Sequence, residues 1–240
     1  MGINIFNVNE ENADGQVSSS SNDVAGRFRS GYQVDNRPVG LTEWRVTTGD
    51  PEVAEAIATF LGAEEPVSKW ETKTGEDRQV FTTSNKVNII VEPKSVKATL
   101  VLWGQGGKIC ETDGTYLYDD EGNLTDELCV FTAGRPLQEL KDNARAGKGP
   151  GPSLQVYFRL ADAPEALEGR KFKFFSGSWT ALDAFGKIAD QMAEASEPVE
   201  FTLELEVISF KNKKGEEITY TKPVLTQTSF PEAANAEEPF

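Results

Sequence analysis

The chain has 240 residues, with 24 Lys and Arg against 39 Asp and Glu, a formal net charge of -15. That surplus of acid excludes attraction of the whole surface to nucleic acid. The complete absence of histidine removes the commonest general base, the commonest metal ligand and the Ser-His and Cys-His nucleophile pairs.

The charge is unevenly placed. Residues 1–26 hold four acids and no base, residues 109–134 seven acids and no base, and residues 228–240 three acids and no base. Residues 27–108 carry 11 bases and 11 acids, and 135–227 carry 13 bases and 14 acids, so the body is close to neutral. The expected organisation is an acidic disordered tail over 1–25, one domain over 26–227 with an acidic insertion at about 109–134, and a second acidic disordered tail over 228–240. The N-terminus lacks the basic and apolar regions of a signal peptide. No apolar run approaches the roughly 18 residues of a spanning helix, so a soluble cytoplasmic protein with no membrane partner is expected.

In chain order, Arg27, Phe28, Arg29 and Tyr32, then Arg37, then Trp44 and Arg45, alternate arginine with aromatic residues on a strand-turn-strand. Arginine and large aromatic side chains are the residues that anchor protein interfaces. A sheet edge whose arginines pair with local acids is the competing explanation. Asp50-Pro51-Glu52 is a helix start, Val53, Ile57, Phe60 and Leu61 supply its apolar face, and Gly62 ends it. Apolar runs at 87–91 and 96–103 predict central strands. Gly104-Gln105-Gly106-Gly107-Lys108 lacks the spacing of a phosphate loop and predicts a turn.

Asp119-Asp120-Glu121-Gly122 puts Leu117 and Leu128 where an EF-hand needs its first and twelfth ligands, so a solvated acidic loop is expected instead. Cys110 and Cys129 are the candidate soft metal ligands, two short of the four that a structural zinc takes. No metal or other cofactor is expected, and no catalytic constellation is found, so the chain is expected not to be an enzyme. Pro136 opens a second helix that would bury Leu137, Leu140 and Ala144.

Strict alternation predicts strands at 154–160, 172–174 and 199–207, the last continuing through a turn at 212–215 into a hairpin partner at 217–225. Trp179, Leu182, Phe185, Ala189 and Met192 mark one face of a third helix over about 178–195. Phe175 and Trp179 form a second aromatic cluster, offered with the first as partner-binding residues; strand-to-helix core packing is its competing explanation. The fold class expected is α+β: a β-rich, mostly antiparallel sheet with about three packed helices.

Several of these segments carry a resemblance. Gly26 to Val34, Glu43 to Val53, Val80 to Ser84, Phe158 to Asp162, Phe174 to Trp179 and Thr219 to Val224 are similar to the recombination directionality factors of actinophage large serine integrases, together spanning about 24–226. The resemblance implies a non-enzymatic phage protein, in the bacterial host's cytoplasm, that binds its cognate integrase. Such a protein inhibits recombination between phage and bacterial attachment sites and promotes excision between the hybrid left and right sites. The expected partner surface on the integrase is its C-terminal coiled-coil region, with DNA reached only through the integrase.

Members of that family carry further cysteines after the position of Cys129 and in the glycine-proline loop. Here Val130 and Phe131 follow Cys129, and Gly147 to Pro152 contains none, which puts a four-ligand zinc site in doubt. A rival class is a replication-associated protein that binds single-stranded nucleic acid, for which Lys171, Lys173, Lys211, Lys213 and Lys214 are the candidate cations.

Overall fold

The computed structural model describes residues 24–34, 37–72, 75–211 and 215–228, with side chains of 33–38 excepted. Both expected tails therefore fall almost wholly outside the described residues, as does the turn at Asn212–Lys214. Among the described residues there are thirteen strands and three α-helices, a β-rich α+β fold in mostly antiparallel sheet.

The strands are β1 (Gly26–Val34), β2 (Arg37–Thr48), β3 (Ser68–Lys69), β4 (Arg78–Phe81), β5 (Lys86–Val91), β6 (Val96–Gly104), β7 (Gly107–Thr112), β8 (Tyr116–Tyr118), β9 (Leu124–Leu128), β10 (Gly151–Leu160), β11 (Lys171–Ser176), β12 (Val199–Lys211) and β13 (Glu217–Gln227). They run in the order β3-β4-β2-β1-β11-β10-β6-β7-β8-β9, and among the described residues only β1 and β11 pair in parallel. Strand β10 changes partner along its length: Gly151–Val156 pairs with β6, whereas Arg159 and Leu160 pair with β5. From that fork one wing continues through β6 to β9, and the other through β5 to β12 and β13.

Residues 82–85 tie the far edges together. Trp44 N donates to Ser84 O at 2.9 Å, and Leu205 N donates to Asn85 O at 2.8 Å, so the sheet curls until β12 stands beside β2. The alternate residues of each strand meet inside that curl. Phe28, Trp44, Val46, Phe158, Phe172, Phe174, Ile89, Phe201 and Leu203 are all buried there, in one core.

Helix α1 (Pro51–Leu61) forms as the sequence dictates. Asp50 Oδ1 accepts from Glu52 N at 2.8 Å and Val53 N at 3.4 Å, satisfying amides that the helix itself leaves open. Gly62 follows with φ of 75°, and Val53, Ala54 and Ile57 are buried under the sheet. Phe60 and Leu61 are only half-buried at the core margin.

Helix α2 (Leu137–Arg145) corrects one expectation: none of its residues is buried, and Leu137 is 55% exposed. Nine residues lying beside the start of β10 give it too little neighbouring surface to cover an apolar stripe. Helix α3 (Leu182–Glu194) corrects another, for it begins at Leu182 and not near 178. Ser178 Oγ and Thr180 Oγ1 lie 2.9 Å apart, and Ser178 N donates to Ser176 Oγ, so hydroxyls hold this segment as a turn. Trp179 thus precedes the helix, while Phe185 and Met192 are its buried residues.

Candidate partner-binding surface

Alternation along β1 and β2 divides the first arginine-aromatic cluster between the two sides of the sheet. Phe28 and Trp44 point inward and are 1% and 0% exposed. Phe28 makes edge contacts with Trp44, Phe158 and Phe172 at ring separations of 5.8, 5.3 and 5.7 Å, and Trp44 with Phe174 at 5.5 Å. No partner can reach either ring in this conformation.

Arg27, Arg29 and Arg45 lie on the outer side, where Trp70, Glu76 and Gln79 cover them. Glu76 Oε1 is 2.9 Å from Arg27 Nε, and its Oε2 is 3.4 Å from Arg29 and accepts from Thr47 Oγ1 at 2.8 Å. Arg45 Nε donates to Gln79 Oε1 at 2.9 Å, and its guanidinium stacks 4.4 Å from the Trp70 ring centre. Trp70 is fixed in turn by its indole N–H, which donates to the Glu76 carbonyl at 2.6 Å. Tyr32 is half-buried with its ring edge-on to Phe81. The arginines are therefore held by a local network. Arg37 pairs through its backbone with Val34, and its side chain is outside the described residues.

Phe175 and Trp179 are both half-buried and stand apart from that network. Phe175 is on the outer side of β11 opposite Gln155. Glu76, Trp70 and Gln79, which complete the arginine network, come from 25 to 49 positions further along the chain than the arginines they meet, with no local motif to join them.

The insertion at 109–134 is not an irregular loop. Its residues form most of β7 and all of β8 and β9. Two acids build its turns: Asp113 Oδ1 accepts from the backbone N–H of Thr115 and of Tyr116, each at 2.7 Å, and Asp119 Oδ1 accepts from Asn123 N at 2.8 Å. The Asn123 backbone N–H first, and then its side-chain amide, hold the Asp119 carboxyl below its ordinary pKa. Glu111 accepts from Thr99 Oγ1 and pairs with Lys108 at 3.0 Å. Asp120, Glu121, Asp126 and Glu127 remain exposed, and none makes an ion pair among the described residues.

Large apolar side chains stand among these acids. Ile109, Tyr116, Leu124 and Leu128 are exposed, and Val130 is 75% exposed. Leu128 pairs across the strands with Tyr116, next to an outer edge of β9 that no described strand covers. Tyr116, Leu124, Leu128 and Val130 thus give the acidic arm exposed apolar surface.

Cys110 and Cys129 meet at the base of the arm. Burial first, and then the neighbouring Cys129 thiol, push the Cys110 thiol up to about 11, so both proton loss and reactivity are suppressed at neutral pH. Both are free thiols, and no group of three or more potential metal-ligating side chains occurs among the described residues. No helix among the described residues is long and apolar enough to cross a membrane. No protein-family model matches the chain, and no solved structure matches it at a significant level.

Proposed function

We infer that this chain is a non-catalytic binding protein that engages a large serine integrase and switches it from integration to excision, and that the acidic arm is its docking element. The observation that carries the docking surface is the exposed apolar group Tyr116, Leu124, Leu128 and Val130 set among unpaired acids. The resemblance of residues 24–226 to directionality factors supports the identity of the partner. Apolar contact gives such a surface its affinity. The surrounding acids select a partner that is basic at the rim and disfavour the phosphate backbone beside it.

Switching requires unequal binding. A ligand with the same affinity for every synaptic arrangement of the integrase shifts none of them. The arm acts by binding the integrase's C-terminal coiled-coil region in the arrangement that pairs on hybrid sites, and less well in the arrangement that follows integration.

The test is capture of purified integrase by the wild-type chain and by Leu128→Asp/Val130→Asp. Both side chains are solvent-exposed, so the variant is expected to keep the wild-type melting temperature and lose at least tenfold in integrase affinity. Wild-type capture by the folded variant would remove the arm from the interface.

A further inference from the structure

The outer face of the central strands carries a cluster of cations that the whole-chain charge conceals. Side chains alternate along a strand, so the residues between the core positions of β1, β2, β10 and β11 point away from the core. Register aligns them in rows. Thr47, Arg27, Lys173 and Tyr157 stand side by side across β2, β1, β11 and β10. One pleat along, Arg45 is beside Arg29, and Phe175 is beside Gln155 and then Lys97 of β6. One pleat the other way, Lys171 is beside Arg159.

Seven cations thus share the face; Glu76 pairs with Arg27 and Arg29, and Glu92 with Arg159. Acid marks both borders. The row through Lys171 and Arg159 ends at Glu200 on β12, and Lys97 reaches Gly122 in the acidic turn of the arm.

The cations have different parts. Arg27, Arg29 and Arg45 are engaged by Glu76, Thr47, Gln79 and Trp70, and are not offered to a ligand. Lys173 is only 5% exposed; its ammonium lies 5.2 Å from the Tyr157 ring centre, and no described carboxylate pairs with it. A buried cation without a carboxylate is costly, and a bound anion would offset that cost. Lys97 and Lys171 are exposed, and Arg159, Tyr157 and Phe175 are half-exposed, so these five present themselves to a ligand.

We propose that this face binds single-stranded nucleic acid, with Lys171, Arg159 and Lys97 on the phosphates and the Tyr157 and Phe175 rings as stacking platforms for bases. Charge complementarity selects a polyanion. The two rings among the cations select one whose base faces are open, which a duplex does not offer. The five open residues lie on three neighbouring strands, β11, β10 and β6, about 10 Å across at about 4.8 Å spacing, and extend about 13 Å along β11 from Lys171 to Phe175, room for about two or three nucleotides. The proposal goes beyond the integrase reading, in which DNA is reached only through the partner. It uses the opposite charge on a different surface.

The test is fluorescence anisotropy of a labelled 12-residue oligothymidylate with the full chain at about 50 mM salt. Three phosphate contacts predict a log–log salt slope of about −2. Lys97→Glu/Lys171→Glu is expected to weaken binding at least tenfold, and Phe175→Ala about tenfold. Lys187→Glu, on exposed α3 surface, is expected to leave binding unchanged, with melting curves monitoring the fold of each variant. Lack of binding by the wild-type chain, wild-type affinity in the folded double lysine variant, or equal affinity for a duplex of the same length would overturn the proposal. None of these outcomes bears on integrase capture, which the Leu128 and Val130 variant tests separately.

Discussion

Replacing Glu76 by alanine is expected to destabilise the protein by about 3–5 kcal/mol, the cost of breaking a buried ion pair from one side. The Glu76 side chain is 12% exposed and engages Arg27, Arg29 and the Thr47 hydroxyl. Its loss leaves the buried Arg27 guanidinium without the carboxylate oxygen 2.9 Å from its Nε. Urea denaturation should show the midpoint fall with an unchanged slope, the pattern of lost stability without a change in the surface exposed on unfolding. A loss below about 1 kcal/mol would mean that Trp70, Glu76 and Gln79 do not close over the arginines.

Phe28→Ala is expected to cost about 3–5 kcal/mol as well, through lost burial and the cavity left among three other rings. Trp44, Phe158 and Phe172 all meet Phe28 edge-on or nearly so, and none can swing into the gap without leaving its own contacts. Thermal unfolding measures the change. A small loss would show that the curled sheet can collapse onto the vacancy. The same packing means that weaker integrase capture by a Phe28 or Trp44 truncation would report unfolding and not a lost contact.

Helix α1 was legible because its signals are local: an acid, a proline and a glycine at the positions that the backbone requires. Strands β10, β11 and β12 were legible because one face is buried, which forces alternation upon the sequence. The alternation of Arg27, Phe28 and Arg29 was equally visible. It did not tell which face was the surface, because the cover over the arginines arrives 47 residues later at Glu76.

The surface of the arm is hidden from the sequence for another reason. Acids and asparagine are poor strand formers, and here they act through side-chain bonds to turn amides, so that the short strands between them pair. Its exposed Leu128 and Val130 follow Asp126 and Glu127 with no signal that sets them apart from core residues. Only their exposure in the folded chain shows them as a surface. The basic outer face was hidden in the same way, since β1, β2, β6, β10 and β11 are far apart in sequence and only register brings their cations together.

The most direct test of the central claim is a two-plasmid recombination assay with candidate large serine integrases. Hybrid left and right sites report excision, and phage and bacterial attachment sites report integration. The account predicts that adding this protein raises excision and depresses integration by its cognate integrase, and that Leu128→Asp/Val130→Asp does neither. Unchanged excision and integration with every integrase that the wild-type chain captures would contradict it.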